Sequence, residues 1–134
     1  MYTDYFDNGK IKEKGNYKNG KKNGLWETWY ENGQKEDSAF YKNDELSGTR
    51  IMWHPNGQIQ LESYWGKPGN RIGTWKRYYE NGQMESIGHF NKEGELDGKD
   101  YQYFKNGKLQ RVTTYDQGKE IEDILYNEEG SRIK

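Results

Sequence analysis

The sequence has no cysteine, only two prolines and few aliphatic residues. The absence of cysteine excludes a disulfide framework, a thiolate metal site and a cysteine nucleophile. Leu, Ile, Val and Phe together account for 19 of the 134 residues. So low a fraction is typical of disordered chains, but those chains also carry a large net charge, whereas the formal net charge here is -1. A folded chain of this composition has to build its core from other residues.

Long apolar runs are also missing. No stretch approaches the roughly 20 apolar residues that span a membrane. The first six residues, MYTDYF, have neither the basic nor the apolar segment of a secretory signal. We therefore expect a soluble, cytoplasmic protein. Because the sequence starts inside a repeat, an upstream signal that has been trimmed away is the alternative.

Aromatic residues and a fixed period are what the chain does have. It contains five Trp, twelve Tyr and four Phe, and each can bury about 150–250 Å², so aromatic rings replace the missing aliphatic core. An Asn-Gly pair recurs at steps of 24, 24, 25 and 25 residues. A period of this length is the signature of stacked supersecondary units. The five pairs are Asn8-Gly9, Asn32-Gly33, Asn56-Gly57, Asn81-Gly82 and Asn106-Gly107.

Aligned on these pairs, the chain divides into five units and a partial sixth without any linker. The units are Met1–Asn23, Gly24–Ser47, Gly48–Ile72, Gly73–Asp97, Gly98–Glu122 and the partial Asp123–Lys134. Asn-Gly between short aromatic runs predicts a β-hairpin with a type I′ turn, in which both loop residues have positive φ. Each unit is then a hairpin followed by a less regular return turn. The return turns are Asn19-Gly20, Asn43-Asp44, Gly66–Asn70, Asn91–Gly94 and Asp116–Gly118.

A two-residue loop also predicts the register of each hairpin. With Asn81-Gly82 as the loop, Tyr79 lies opposite Met84, and the equivalent pairs are Phe6–Ile11, Tyr30–Lys35, His54–Ile59 and Phe104–Leu109. Trp75 then lies opposite Gly88, and Trp26–Ala39 repeats this arrangement of a large ring beside a small residue. Arg50–Ser63 and Asp100–Thr113 depart from it. Together with Tyr17, Tyr41, Trp65, Phe90 and Tyr115, these pairs predict one packed face.

Strand alternation places a second aromatic row on the opposite face. Its members are Tyr5, Trp29, Trp53, Tyr78 and Tyr103. A single-layer sheet cannot bury both faces against itself, so this row is either covered by the twist of the sheet or left for a partner. The predicted fold class is all-β, namely an elongated single-layer antiparallel sheet of tandem β-hairpins, one repeat array over residues 1–134 without significant helix.

The repeats carry a recognisable motif. The pattern Gly-x-Trp-x-x-Tyr-Tyr-x-Asn-Gly-Gln is complete in Gly73–Gln83 and present with Trp29 for the first Tyr in Gly24–Gln34. It resembles the MORN repeat, specifically its second variant, and the resemblance covers essentially the whole chain. The third unit departs most, with Arg50 for Trp and His54-Pro55 before the turn. The resemblance implies the same elongated sheet of hairpins.

The resemblance also implies a kind of partner. Bacterial proteins made of such repeats are grouped as the YwqK family of toxin–antitoxin antitoxins, and this chain is similar to them. For those proteins the implied partner is a toxin. Elsewhere, MORN arrays act as scaffolds or membrane-associated adaptors, which is the alternative that the resemblance leaves open.

Catalytic and metal-binding chemistry has little support in the sequence. His54 and His89 are the only histidines, and neither has a second ligand at metal spacing, whereas a zinc site needs three or four ligands. Glu80 and Glu85 flank a turn like a catalytic carboxylate pair, but such a pair needs a cleft and one raised pKa. No nucleophile elbow or phosphate-binding glycine motif is present. We therefore expect a non-enzymatic protein without metal or cofactor.

The charges are modestly polarised along the chain. The first unit is basic, a pattern found in nucleic-acid and anionic-lipid sites, but phosphate binding normally needs a strongly basic domain and the whole chain is nearly neutral. Its lysines are Lys10, Lys12, Lys14, Lys18, Lys21 and Lys22. The segment Asp116–Gly130 instead contains six acids and one lysine. We therefore expect no nucleic acid as partner, and membrane binding is not favoured.

These features predict a protein-binding module. Tyr and Trp are enriched at protein interfaces, so the aromatic row is the candidate site, and the acidic end supplies charge complementarity. The predicted protein-binding residues are Tyr5, Trp29, Trp53, Tyr78, Tyr103, Glu120, Glu122 and Asp123. The most specific reading is an antitoxin or immunity protein that covers a toxin, and a structural scaffold or peripheral anionic-lipid-binding module is the alternative.

Overall fold

The protein is all-β in a computed structural model that describes residues 1–134. Its strands are β1 (Tyr2–Tyr5), β2 (Ile11–Gly15), β3 (Tyr17–Lys18), β4 (Lys21–Lys22), β5 (Gly24–Trp29), β6 (Lys35–Lys42), β7 (Glu45–Trp53), β8 (Ile59–Trp65), β9 (Arg71–Tyr78), β10 (Met84–Phe90), β11 (Gly98–Tyr103), β12 (Leu109–Asp116) and β13 (Lys119–Leu125). Eleven strands form one open antiparallel sheet, and β3 and β4 form a separate two-stranded ladder. The predicted fold class, a sheet of tandem hairpins without helix, is confirmed.

The strand order in the sheet follows the order along the chain, β1-β2-β5-β6-β7-β8-β9-β10-β11-β12-β13. No connection crosses over another strand, so each unit simply adds a hairpin beside the preceding one. Because adjacent strands lie about 4.7–4.9 Å apart, each unit lengthens the sheet by roughly 9.4–9.8 Å. Equivalent side chains of successive units therefore form rows that cross the strands.

The Asn-Gly turns differ from the predicted type I′ form. In the fourth unit the Gly82 N–H donates to the Tyr79 carbonyl (2.9 Å), and the Tyr79 N–H donates to the Gln83 carbonyl (2.8 Å). Gly82 has a φ of 88°, but Asn81 does not have positive φ. The loop therefore has three residues, a type I turn followed by a glycine in the left-handed region. The same two bonds recur in the other four units.

The asparagine side chain explains why the three-residue loop forms. The Gln83 N–H donates to Asn81 Oδ1 (2.9 Å), an Asx turn that holds the loop without positive φ at the asparagine. The other four Asn-Gly pairs have the same bond to the residue after the glycine. Successive positive φ values, as type I′ turns require, occur instead at three return turns, Asn19-Gly20, Asn43-Asp44 and Gln117-Gly118.

The longer loop shifts the register next to each turn by one residue. Met84 lies opposite Tyr78 rather than Tyr79, so the predicted Tyr79–Met84 pair is wrong. The pairs observed at this position are Tyr5–Ile11, Trp29–Lys35, Trp53–Ile59, Tyr78–Met84 and Tyr103–Leu109. A bulge at Glu85 then restores the predicted register, and Trp75 lies opposite Gly88. Equivalent bulges lie at Lys12, Glu36, Gln60 and Gln110.

One face of the sheet, which we call the tryptophan face, is packed by alternating large and small side chains. Paired residues of an antiparallel ladder share a face, so a single row crosses the sheet as Gly15, Trp26, Ala39, Arg50, Ser63, Trp75, Gly88, Asp100 and Thr113. First strands supply the large residue and second strands the small one. Arg50–Ser63 therefore keeps the size pattern without a ring, whereas Asp100–Thr113, with two side chains of similar size, departs from it as expected.

Close packing of side chains on this face takes the place of a hydrophobic core. Trp26 is 3% exposed, and a Cβ at Gly15 would overlap its indole ring, so the strand needs glycine there. Trp75 packs between Trp65 and Phe90, with both ring centroids 5.2 Å away. The predicted assignment of Tyr17, Trp65 and Phe90 to the packed face agrees with these contacts.

Side chains beside the turns join each unit to the next. The Tyr30 hydroxyl donates to the Trp53 carbonyl (2.6 Å) and the Tyr79 hydroxyl to the Tyr103 carbonyl (2.6 Å), and His54 Nε2 lies 2.8 Å from the Tyr78 carbonyl. The turn asparagines make a second series, in which Nδ2 of Asn32, Asn56 and Asn81 donates to the carbonyls of Pro55, Glu80 and Lys105. We call these six contacts the junction bonds.

The junction bonds connect only units two to five. Phe6 and Phe104 occupy the tyrosine position in the first and fifth units, and a phenyl ring has no donor for the neighbouring carbonyl. Units two to four likewise carry a glutamine after the turn glycine, and its amide lies against the turn glycine of the next unit at Gly57, Gly82 and Gly107. Lysine replaces this glutamine in units one and five.

The junction bonds predict a position-dependent effect of one conservative substitution. Asn56→Asp keeps the acceptor for the Gln58 N–H but loses the donor to the Glu80 carbonyl, so we expect a loss of about 1–2 kcal/mol in unfolding free energy. Asn106→Asp is the matched control because Asn106 makes the turn bond alone. Urea denaturation at pH 7 measures both, and equal losses in the two variants contradict a stabilising role for the junction.

Candidate protein-binding face

The aromatic row lies on the face opposite the tryptophan face, and we call this second surface the row face. Each member pairs with the first residue of the following strand, which is aliphatic in four units and Lys35 in the second. Trp29, Trp53, Tyr78 and Tyr103 are half-buried, whereas Tyr5 is 57% exposed. Flanking side chains therefore cover part of each ring and leave the rest open to contact.

A lysine joins two members of the row. Lys35 Nζ lies 2.5 Å from a Glu27 carboxylate oxygen, and it also lies 5.8 Å from the Trp29 ring centroid and 5.9 Å from that of Trp53. Cation–π contact at these distances contributes about 0.5–1 kcal/mol at an exposed site. The ion pair holds the ammonium between two rings of neighbouring units, so it fixes their relative positions.

The row face exposes further apolar side chains that sequence reasoning did not identify. Leu25, Phe40 and Tyr64 are 38%, 46% and 40% exposed. Leu25 lies directly opposite Phe40, and Leu25 precedes Trp29 by four positions on one strand, so both point to the same side. The signal available in the sequence was strand alternation, which places every second residue, and so Leu25 and Trp29, on the same face. Further apolar side chains therefore lie on this face nearer the return turns, with Glu27 and Ser38 between them and the row.

A sixth aromatic position lies beyond Tyr103. Tyr126 pairs with Arg132 in the way that Tyr103 pairs with Leu109, and the Gly130 N–H donates to the Asn127 carbonyl (3.0 Å). This is the same three-residue turn as in the other units, with Glu129-Gly130 at the Asn-Gly position. The Asn-Gly period does not reveal this turn, because Glu129 stands where the other units have asparagine. The spacing does indicate it, since Tyr126 follows Tyr103 by 23 residues.

The acidic candidates are divided between different environments. Glu120 and Glu122 are exposed on β13, and Glu122 lies opposite Thr114 on the row face. Asp123 lies on the tryptophan face, where Nε and Nη2 of Arg111 donate to its two oxygens, each at 2.7 Å. These bonds lower the pKa of Asp123. Asp123 therefore belongs to an internal ion pair, and the structure does not bring it together with the aromatic row.

The histidines and the carboxylate pair take other positions. His54 makes a junction bond, and His89 Nδ1 lies 3.4 Å from the Thr74 hydroxyl. Glu80 and Glu85 both line an open depression of about 480 Å³ beside Tyr79 and Lys105. No group of three or more His, Asp or Glu side chains is arranged to hold a metal ion.

The six lysines of the first unit do not form one patch. Lys14 lies opposite Glu27 on the row face. Lys22 lies on the tryptophan side, 4.7 Å from the Trp26 ring centroid and 3.8 Å from Glu13. Lys18 and Lys21 pair with each other in the β3–β4 ladder. The basic charge of this unit is therefore distributed over both faces and the edge.

A tandem array of hairpins, joined by repeated contacts and carrying one exposed aromatic face, defines a β-hairpin repeat protein. The family model described as MORN repeat variant matches residues 2–19, 22–43, 46–65, 71–92 and 96–117. These ranges cover most of the sequence, and the chain belongs to the MORN repeat variant family. The chain matches no curated protein. The structure contains no helix with the length and apolar character needed to cross a membrane.

Two aspartates of the tryptophan face predict opposite pH effects on stability. Arg111 lowers the folded-state pKa of Asp123, so this carboxylate stabilises the fold above its unfolded pKa, and the stabilisation is lost as the pH falls through the folded pKa. Burial raises the folded-state pKa of Asp100, and the positive charge of Arg111 offsets part of this rise. Ionisation of Asp100 therefore costs stability as the pH rises through this region.

We accordingly expect Asp123→Asn to lower the melting temperature at pH 7 and Asp100→Asn to raise it. The Asp100→Asn difference should disappear below the pKa of an unfolded aspartate, about 3.9, whereas the Asp123→Asn difference should disappear only below the lowered folded-state pKa of Asp123. Thermal unfolding followed by circular dichroism from pH 2 to pH 7 measures the two curves. Shifts of the same sign in both variants at pH 7 contradict the assignment.

Proposed function

We propose that this chain is a non-enzymatic protein-binding module and that its row face contacts the partner. The observation that supports the proposal is the row of large aromatic side chains on one face of the sheet, together with Leu25, Phe40 and Tyr64 on the same face, which are each more than a third exposed. Soluble proteins rarely leave large apolar patches exposed unless those patches meet a partner. Trp and Tyr anchors carry most of the binding energy at many interfaces.

The rigidity of the array favours binding by a preformed surface. Junction bonds hold Trp53, Tyr78 and Tyr103 through their backbone carbonyls, and Lys35 joins Trp29 to Trp53. Side chains that are already ordered lose little conformational entropy on association. The row therefore supplies anchors at fixed intervals.

The more specific proposal is an antitoxin or immunity protein that acts in the cytoplasm and covers the active site or substrate channel of a toxin. The resemblance of the repeat motif to that of the antitoxin group motivates this reading, and the exposed Glu122, opposite Thr114 on the row face, suits a basic toxin. Complementary charge accelerates encounter and excludes wrong partners. Inhibition is then steric and needs no chemistry from this chain.

The proposal predicts loss of affinity on truncation of the row. Trp53→Ala and Tyr78→Ala should each weaken binding to the protein encoded beside this gene at least 10-fold, about 1.4 kcal/mol. Isothermal titration calorimetry measures the affinity, and circular dichroism checks that each variant is folded. Tyr2→Ala is the control because Tyr2 is 39% exposed on the tryptophan face.

If both row variants fold and bind the partner with unchanged affinity, the row is not part of the interface. If the neighbouring protein binds but retains its full activity at saturation, the steric mechanism is wrong while the binding role stands. If Tyr2→Ala weakens binding as much as Trp53→Ala, the interface lies on the other face.

A scaffold or lipid-associated module is the second candidate, because Lys18 and Lys21 are exposed together at the return-turn edge. Flotation with phosphatidylcholine vesicles, with or without phosphatidylserine, compares the two. A protein-binding module should stay unbound with both vesicle types at physiological salt. Retention that requires phosphatidylserine and disappears in Lys18→Gln/Lys21→Gln favours the lipid reading, since each basic residue near such a surface contributes about 1 kcal/mol.

A further inference from the structure

The tryptophan face contains a cleft of about 370 Å³ between the third and fourth units. It follows from the size alternation, because the small Ser63 lies between the larger Arg50 and Trp75 in the row that crosses the sheet. Its lining includes Arg50, Ser63, Trp65, Arg71, Trp75 and Arg77. The cleft is separate from the row face, which lies on the other side of the sheet.

The cleft has an excess of positive charge. Three arginines line it, and no acidic residue does. Arg50 is neutralised by Asp37, to whose oxygens Nε and Nη2 donate at 3.1 and 2.7 Å. Arg71 and Arg77 take part in none of the four salt bridges of the structure, and both are exposed. The Arg71 guanidinium lies 4.7 Å from the Phe90 ring centroid, a contact that leaves its N–H groups free, so both guanidinium groups can attract an anion.

A lining tryptophan also has an unused hydrogen-bond donor. Trp65 Nε1 is buried and has no acceptor. The indole of Trp75, by contrast, donates to the Ile72 and Tyr64 carbonyls at 3.1 and 3.2 Å, and that of Trp26 donates to the Asn16 carbonyl at 2.9 Å. A buried donor without a partner costs about 1–3 kcal/mol. An acceptor brought by a ligand recovers this energy.

The next row position of the same kind holds a carboxyl group of the chain itself. There the small residue of the row is Gly88, and the Asp100 carboxylate lies 3.1 Å from the position that a Cβ on Gly88 would take. Arg111 interacts with Asp100 electrostatically and partly opposes the rise of its pKa. The chain's own carboxylate therefore occupies the place beside the small residue in that unit. In the cleft the equivalent place beside Ser63 is taken by Trp75, and no carboxyl group of the chain lines it.

We propose that the cleft between the third and fourth units binds an organic oxyanion, a carboxylate or phosphate attached to an apolar or aromatic group. Arg71 and Arg77 lie roughly 20 Å apart along β9, one on each side of Trp75, and both attract the anion into the cleft, where a guanidinium matches the geometry of either oxyanion. The Trp65 indole supplies a further donor. Trp75 and the buried Leu61 provide apolar contact for the remainder of the ligand.

Indole N–H signals in nitrogen-15 NMR spectra test the proposal directly, because the five tryptophans give five resonances. Benzoate and phenyl phosphate are the two anionic probes, benzyl alcohol is the neutral control, and ionic strength is held constant. Trp65→Phe assigns the relevant signal. We expect a saturable downfield shift of the Trp65 resonance with an anionic probe, and the probe with the lower Kd identifies carboxylate or phosphate as the preferred group.

Substitutions in β9 then test the arginines. Arg71→Gln and Arg77→Gln should each raise the Kd of the preferred probe at least 5-fold. Lys76→Gln should leave it unchanged, because Lys76 lies on the same strand but faces the other side, opposite Glu62. Non-saturable shifts with both anions, an equal response to benzyl alcohol, or an unchanged Kd in both arginine variants would overturn the proposal.

Discussion

Every strand of this protein can be stabilised only by the strands beside it, because the sheet is a single layer with nothing packed on either face. Just eight of 134 residues are buried, so ordinary core packing contributes little. Lateral contacts take its place, first through the backbone ladder and then through large side chains set beside small ones. The junction bonds add a third lateral contact at the turns. Each of these contacts repeats with the unit.

The two faces of the sheet differ in how their side chains are shielded from solvent. The tryptophan face combines rings with the internal ion pairs Arg50–Asp37 and Arg111–Asp123, so part of its charge is neutralised within the chain. The row face carries aromatic rings bordered by aliphatic residues. This asymmetry links the repeat architecture to the proposed function, since one side maintains the fold and the other remains available for a partner.

The sequence was sufficient for the architecture because Asn-Gly periodicity and aromatic alternation both depend on local chemistry. The central register was also predictable, as the Trp75–Gly88 pair shows. The pairs beside the turns were not predictable, because Asn81 accepts a hydrogen bond from the Gln83 N–H and favours a longer loop, for which the bulge at Glu85 compensates. The row could be placed on a face, but its exposure depends on neighbours such as Ile59 and Lys35. The cleft could not be predicted from the sequence, because it depends on which side chains have no partner in the folded structure.

The distribution of the junction bonds distinguishes interior units from end units. Tyr or His before the turn and Gln after it occur in units two to four, whereas Phe and Lys occur in units one and five. In a linear array, stability is approximately a sum of unit and nearest-neighbour terms. The interior units can therefore be exchanged or duplicated with their contacts intact. The first and fifth units lack these side chains, so placing either one between two interior units would leave a neighbouring carbonyl without its donor.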